Sequence, residues 1–149
     1  MAVSSRTKRQ QPPPDALHEV VVGKLYTINY KSLKPEHFDD VTAVVDLSGE
    51  AGLIDEPGRY VCVTWATSEN VDEGQFEGVV RFCSSVMKGR GQRVLVLGHQ
   101  DTVDTIATCV LREFVGCDAQ TALDVIRSHR SNSMTKSELV ETVFRYKPS

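Results

Sequence analysis

The sequence lacks any long apolar run. No apolar segment approaches the ~20 residues that a membrane-spanning helix needs, and the N-terminus has no apolar stretch like that of a secretory signal. The four cysteines, Cys62, Cys83, Cys109 and Cys117, contain no CxxC pair, and three of them lie in apolar runs typical of buried elements. These absences predict a reduced, cytoplasmic protein that is neither membrane-spanning nor exported by a signal peptide.

Acidic residues are missing from the first fourteen positions. This segment carries Arg6, Lys8 and Arg9, whereas the whole chain has a formal net charge of -3. With the three consecutive prolines 12–14, residues 1–16 are predicted to be a disordered basic tail, and residues 17–149 a single folded domain. The absence of acids is also similar to a mitochondrial transit peptide, but the prolines would break the amphipathic helix that such a peptide forms.

The tail charge indicates what it could bind. Three cations favour an acidic partner, such as the lattice of a microtubule or the acidic face of another protein, and less specifically a nucleic acid. We therefore expect protein partners within a larger assembly and no membrane. A cytoplasmic location is expected, with cytoskeletal, nuclear and mitochondrial locations as open alternatives.

Strand and helix patterns alternate along the folded part. Short aliphatic and β-branched runs predict strands at residues 20–22, 25–28, 41–47, 59–65 and 93–97. Helical spacing predicts helices at residues 32–38, 76–86, 106–114, 118–130 and 135–144. This alternation predicts an α/β domain with a largely parallel central sheet.

Local signals mark where the helices end and begin. Gly89 and Gly91 are expected to end the second predicted helix, and Gly116 the third. Asp118 is expected to cap the next helix, and the segment 135–138 (Thr-Lys-Ser-Glu) has the pattern of a capping box for the last.

A polar segment follows the strand at 93–97, where ligand sites of open parallel sheets usually lie. It is predicted to form a loop, and its residues are Gly98, His99, Gln100, Asp101, Thr102, Val103, Asp104 and Thr105. In such sheets a loop leads from the strand into a helix N-terminus that can bind anions. The two aspartates suit a helix start, but they would repel a phosphate at close range.

The order of elements over residues 20–147 resembles that of the dual-specificity phosphatases. The resemblance is carried by four segments: Gly23-Lys24-Leu25-Tyr26, Val44-Val45-Asp46-Leu47-Ser48, Tyr60-Val61-Cys62-Val63 and Ala122-Leu123-Asp124-Val125-Ile126-Arg127-Ser128-His129-Arg130. It implies a three-layer phosphotyrosine-phosphatase-like domain, with a central mostly parallel sheet flanked by helices.

The resemblance also implies where the catalytic groups would lie. The family signature is His-Cys-x5-Arg-Ser/Thr, in which a thiolate attacks phosphorus while loop N–H groups and the arginine hold its oxygens. On this chain the histidine position is Leu97, the cysteine position Gly98 and the arginine position Asp104, and Thr105 alone retains the hydroxyl. This is similar to inactive members with glycine in place of the catalytic cysteine.

The general acid is displaced as well. The family aspartate would fall near Thr67, with Glu69 and Asp72 as displaced substitutes. The resemblance thus implies a pseudophosphatase without catalytic residues, metal or cofactor. We expect an interaction or scaffold subunit; the alternative is a residual phosphatase or phosphate-binding module.

Two other interpretations concern the histidines. The segment from Gly98 to Val103 resembles the GHxDTV zinc motif of di-zinc aminoacylases and carboxypeptidases, in which His99 would bind zinc and Asp101 would orient it, but the remaining ligands are missing after Thr105. The simpler interpretation is that His99 and Asp101 cap a helix. The other three histidines, His18, His37 and His129, are expected to face solvent.

Overall fold

The computed structural model describes residues 17–48, 60–62 and 73–149. Five strands form one sheet in the order β1-β2-β5-β3-β4. They are β1 (His18–Val21), β2 (Leu25–Asn29), β3 (Ala43–Asp46), β4 (Tyr60–Cys62) and β5 (Val94–Gly98). β1 pairs antiparallel with β2, and all other neighbours pair in parallel. The α/β class and the mostly parallel sheet are confirmed.

The helices of the described part follow β4 and β5. They are α1 (Glu73–Met87), α2 (Gln100–Val110), α3 (Ala119–His129) and α4 (Ser137–Arg145). α2 continues into a π-helical turn at Leu111–Val115, which ends at Gly116 with a φ of 88°. Asp118 caps α3 by accepting a hydrogen bond from the backbone N–H of Thr121 at 2.7 Å. The predicted stop at Gly116 and cap at Asp118 are therefore confirmed.

The core has two layers because the central strand β5 is buried on both faces. On one face Leu25, Val45 and Val96 pack with side chains from the helices. On the other face a smaller cluster containing Leu95 and Leu97 is covered by residues of the segment between β2 and β3. Burying each such aliphatic side chain stabilises the fold by about 1.5–3 kcal/mol.

Two cysteines belong to the larger core. Cys83 and Cys109 are fully buried, as their positions on apolar helix faces predicted. Burial raises the pKa of each thiol to about 12, because a thiolate would lose its hydration, and the charge of Arg112 offsets this only in part for Cys109. These two thiols are therefore packing groups and not nucleophiles.

The short helix predicted at 32–38 is wrong in form. The segment contains two 3₁₀ turns, Tyr30–Ser32 and Pro35–Phe38, separated by extended residues. Lys34 precedes a proline and has a φ of -129° and a ψ of 154°. The proline ring excludes the preceding residue from helical conformation, so one continuous helix cannot form.

The predicted capping box at the last helix is also wrong. α4 begins at Ser137 with Lys136 as its N-cap residue, and no side-chain capping hydrogen bond is made there. The preceding turn is instead held by a tertiary contact, in which the N–H of Met134 donates to Asp101 at 3.2 Å. Met134 has a φ of 54°, so the chain enters α4 from a left-handed residue.

Candidate functional site

The strand-to-helix junction at Gly98 is shorter than the sequence predicted. β5 ends at Gly98, His99 alone separates strand from helix, and α2 begins at Gln100. The prediction of a loop extending through Thr105 is therefore wrong. Residues 100–105 form the first turns of α2, where the N–H of Val103 donates to the carbonyl of His99 at 3.0 Å.

Gly98 lies against the residue that follows β3. A Cβ atom added to Gly98 would lie 3.1 Å from the Cβ of Leu47 and 3.3 Å from its carbonyl carbon. Such contacts are tighter than ordinary van der Waals separation, and the backbone of Leu47 is itself fixed by its N–H donating to Leu97 at 2.8 Å. Glycine is therefore the residue that fits this position without displacing the neighbouring strand.

Asp104 is the centre of a buried polar network, here called the Asp104 cluster: Gln100, Asp104, Arg130 and Ser133. The Oδ2 atom of Asp104 accepts from Nε of Arg130 at 3.0 Å and from Oγ of Ser133 at 2.7 Å. Its Oδ1 atom accepts from the amide of Gln100 at 3.1 Å. The carboxylate side chain is fully buried and that of Arg130 is 14% exposed. Both oxygens are thus occupied by protein donors.

Burial and pairing act on this carboxyl group in opposite directions. Burial raises the pKa of Asp104 above its ordinary value, because the charged form loses hydration. The hydrogen bond from Ser133 and the charge of Arg130 lower it and recover part of that penalty. The hydrogen bonds and the charge of Arg130 therefore stabilise the buried carboxylate of Asp104.

Other side chains of the segment from Gly98 to Thr105 also form hydrogen bonds within this chain. The hydroxyl of Thr105 donates to the carbonyl of Asp101 at 2.7 Å, within its own helix. Asp101 accepts the N–H of Met134. Asp101 and Asp104 thus both contact the turn between α3 and α4, and Thr102 and Val103 are buried.

The capping interpretation of His99 and Asp101 is wrong in detail. His99 occupies the N-cap position but makes no side-chain capping hydrogen bond, and Asp101 bonds to a distant turn. The exposed ring of His99 packs edge-on against Tyr30, with ring centroids 5.0 Å apart. Over residues 17–48, 60–62 and 73–149, no group of three histidine, cysteine or carboxylate side chains is arranged to hold a metal ion. Within these residues, His99 and Asp101 therefore have no third side chain with which to form a zinc site.

Two histidines expected at the surface lie beside the Asp104 cluster. His18 of β1 is only 7% exposed, and its ring stacks on that of His129 with centroids 3.5 Å apart and planes 3° apart. Desolvation, followed by the nearby His129 and Arg130, lowers the pKa of His18 to about 4. Desolvation also lowers the pKa of His129. The prediction that His18 faces solvent is wrong.

Several predicted site residues lie outside the described part of the chain. These are the tail residues Arg6, Lys8 and Arg9 and the displaced general-acid positions Thr67, Glu69 and Asp72.

Conversely, sequence reasoning missed Arg130 and Ser133. Asp104 itself was a signal for a partner, because a carboxylate within an apolar helical face requires a cation or donors when it is buried.

The sequence predicted that the chain has no membrane-spanning helix. In the parts of the chain described above, no helix combines the length and apolar character needed to cross a bilayer.

Comparison with known proteins identifies the fold. No protein-family model and no curated protein matches the sequence. Among solved structures, DUSP15 has a TM-score of 0.72 at 15% identity, covering 87% of this chain and 86% of that one. Human DUSP28 has a TM-score of 0.67 at 17% identity, covering 89% and 91%. The human tyrosine phosphatase-like serine/threonine/tyrosine-interacting protein has a TM-score of 0.65 at 17% identity, covering 85% and 92%. The predicted three-layer fold is confirmed: this chain has the fold of the dual-specificity phosphatases.

Proposed function

We propose that this protein is a catalytically inactive, dual-specificity-phosphatase-like protein that acts by binding other proteins, as an interaction or scaffold subunit of a larger assembly. The observation that carries the proposal is the Asp104 cluster. At the position where the family pattern requires a cation for phosphate, this chain holds a buried carboxylate paired with its own Arg130.

The nucleophile position supports the proposal. Gly98 offers no side-chain atom for attack on phosphorus, and Leu47 closely approaches the space that a cysteine side chain would enter. The two buried thiols described above have raised pKa values, so neither supplies a thiolate in place of the missing one.

The anion site supports it as well. Where the family pattern has a cation for phosphate, this chain has the negative charge of Asp104, and the guanidinium of Arg130 already donates to that carboxylate. Freeing Arg130 would leave a buried carboxylate with an unpaired charge, which costs several kcal/mol. Phosphate binding would therefore work against the stability of the fold.

The first test measures turnover and anion binding. We expect no hydrolysis of a generic aryl phosphate above background, and no rise in melting temperature with phosphate or tungstate, because a ligand that binds the native state must stabilise it. Turnover that is lost in Asp104→Asn and Asp101→Asn, but kept in the exposed control Asp124→Asn, would instead establish a residual phosphatase.

A restoration experiment tests the positional assignment. Gly98→Cys combined with Asp104→Arg returns the family groups at these two positions. Arg130→Gln in the same background avoids two neighbouring guanidinium groups. Regained turnover in a folded variant would support the assignment of these positions, whereas a folded variant without turnover would contradict it. Circular dichroism and melting temperature establish that each variant folds.

The basic tail is proposed to contribute to assembly. The proposal rests on the sequence, since Arg6, Lys8 and Arg9 are the basic residues of the tail. In co-sedimentation with polymerised tubulin, we expect the full chain to pellet and the triple substitution Arg6→Gln, Lys8→Gln, Arg9→Gln to remain in solution. Added salt should weaken pelleting of the full chain, because exposed charges are screened. Equal pelleting of both proteins would rule out tail docking on this polymer, and binding of duplex DNA alone would redirect the proposal to nucleic acid.

A further inference from the structure

A groove lies between the start of α1 and the C-terminal segment. Its volume is about 640 Å³, and it is lined by Phe76 and Glu77 of α1, by Arg112 of the π-helical turn, and by most of the residues from Thr142 to Pro148. None of the residues of the Asp104 cluster lines it. The groove is therefore separate from the strand-end site described above.

The groove has a preformed apolar wall. The rings of Phe76 and Tyr146 pack edge to face, with centroids 6.2 Å apart. Phe144 is a large apolar side chain that remains 49% exposed. A half-exposed aromatic ring beside a packed aromatic pair offers an anchor site for an apolar side chain of a partner.

Hydrogen bonds hold this wall in place. Arg112 donates to the carbonyl of Val143 at 2.8 Å and also to that of Tyr146. The hydroxyl of Tyr146 donates to Glu113 at 2.6 Å. A wall fixed in this way loses little conformational freedom when a ligand binds.

The charge of the groove is opposite to that of the chain. Its lining includes Arg112, Arg145 and Lys147 but only one carboxylate, Glu77, whose Oε1 lies 3.9 Å from Arg81. The whole chain has a net charge of -3. This local excess of cations favours an acidic ligand and would repel the chain's own basic tail.

We propose that the groove binds an acidic peptide segment of a partner protein, with an apolar side chain seated against Phe144 and carboxylates beside Arg145 and Lys147. This inference deepens the proposed interaction role and rests on it. It names the chemistry of the partner and the surface that recognises it.

The test uses the full chain and a defined probe. A short synthetic peptide in which glutamates flank one phenylalanine is titrated into isotope-labelled protein, and amide chemical shifts are followed. The control peptide has lysine in place of every glutamate. We expect saturable shifts concentrated at residues 142–147 with the acidic peptide, weaker binding at raised salt, and no comparable shifts with the lysine peptide.

Matched variants locate the binding site. Arg145→Glu with Lys147→Glu should weaken binding roughly tenfold or more, and Phe144→Ala roughly fivefold. The control pair Lys88→Glu with Arg90→Glu reverses two exposed cations on the turn after α1 and should change affinity by less than about twofold. Since Phe144 and Lys147 are exposed, Phe144→Ala and Lys147→Glu alone provide folded variants if the double substitution unfolds the protein.

Several results would overturn the inference. They are the absence of shifts, shifts outside the groove, equal binding of the lysine peptide, and equal loss of affinity in the control pair. Turnover and anion binding are measured separately at the strand end, so failure of the groove inference is distinguishable from failure of the proposed function.

Discussion

The Asp104 cluster and the C-terminal groove use charge in opposite ways. In the cluster, a fully buried carboxylate has partners on both oxygens, and Arg130 is turned inward to it. In the groove, Lys147 and the ring of Phe144 are presented to solvent. The cluster pairs its buried carboxylate internally, whereas the groove leaves charge and apolar surface available.

This difference shows that a polar cluster can lie near the usual ligand site of a fold and still serve only the stability of that fold. The cluster is built on α2, the helix that follows the carboxyl end of the central strand, where sheets of this kind usually bind ligands, but its donors serve the fold. Removing one partner of a buried pair leaves the other uncompensated, whereas changing an exposed charge costs little. Substitutions should therefore affect stability in the cluster and binding in the groove.

The largest effect is expected from Asp104→Ala. It removes three hydrogen bonds and leaves Arg130 without its carboxylate, so the free energy of unfolding should fall by about 3 kcal/mol. Asp104→Asn keeps an acceptor oxygen and should cost roughly half as much. Urea denaturation measures both. The control is Asp124→Ala, an exposed aspartate of α3, which should cost less than about 0.5 kcal/mol. A loss in Asp104→Ala no larger than in the control would contradict the structural role of the cluster.

The next largest effect is a fall in the free energy of unfolding at acid pH, which results from protonation of His18. Its pKa falls from 6.5 in the unfolded chain to about 4 in the folded one, so the unfolded state binds the proton more readily. The stabilisation is complete above pH 6.5 and is lost as the pH falls toward 4. After allowance for solvent screening, the loss should be on the order of 1–2 kcal/mol.

The His18 contribution can be separated from that of Asp104 by its sign. The raised pKa of Asp104 means that the folded state takes up this proton more readily, which opposes the effect of His18 as the pH falls. His18→Gln should therefore flatten the decline between pH 6.5 and 4, whatever its cost at pH 7.5. An unchanged slope in denaturation curves across this range would rule out His18 as its source.

A smaller effect is expected from Gly98→Ala. The new Cβ would lie 3.1 Å from that of Leu47, and the strain should cost about 1 kcal/mol. The matched control is Gly78→Ala, because Gly78 is an exposed residue inside α1 and has nothing within 4 Å of an added Cβ. This control should gain up to about 1 kcal/mol from helix propensity. Melting temperatures that move in the same direction in both variants would contradict a close-packing role for Gly98.

The sequence predicted the fold better than the site for a physical reason. Strand runs, the stop at Gly116 and the cap at Asp118 depend on neighbouring residues, and these predictions are confirmed. Two partners of Asp104, Arg130 and Ser133, lie 26 and 29 residues further along the chain, so periodicity could not identify them. The first turns of α2 contact the turn between α3 and α4. Local sequence spacing does not encode this contact.

The histidine stack shows the same limit. His18 and His129 meet only because β1 lies beside the end of α3, and neither has a local pattern that indicates burial. These histidines are scattered along the sequence and were therefore predicted to face solvent. Their environment follows from packing between elements more than a hundred positions apart.

The smallest effect on stability is expected on the groove side, from Glu113→Gln. Glu113 accepts from the hydroxyls of Tyr146 and Ser149, each at 2.6 Å, and holds the segment that forms the groove wall. Desolvation alone would raise the pKa of Glu113, but the hydrogen bonds from Ser149 and Tyr146 lower it overall, so the carboxylate is the form that holds the segment. Glutamine replaces charge-assisted bonds with weaker neutral ones, and the free energy of unfolding should fall by only about 0.5–1 kcal/mol.

The informative measurement for Glu113→Gln is local. Amide exchange should accelerate at Tyr146, Lys147 and Ser149 while β5 keeps its protection, because the substitution releases the C-terminal segment without opening the core. The control Glu141→Gln alters an exposed glutamate of α4 and should leave exchange there unchanged. Faster exchange throughout β5 would show that the C-terminal segment supports the core as a whole. The distinction between an internally paired Asp104 cluster and an independently held groove wall would then be wrong.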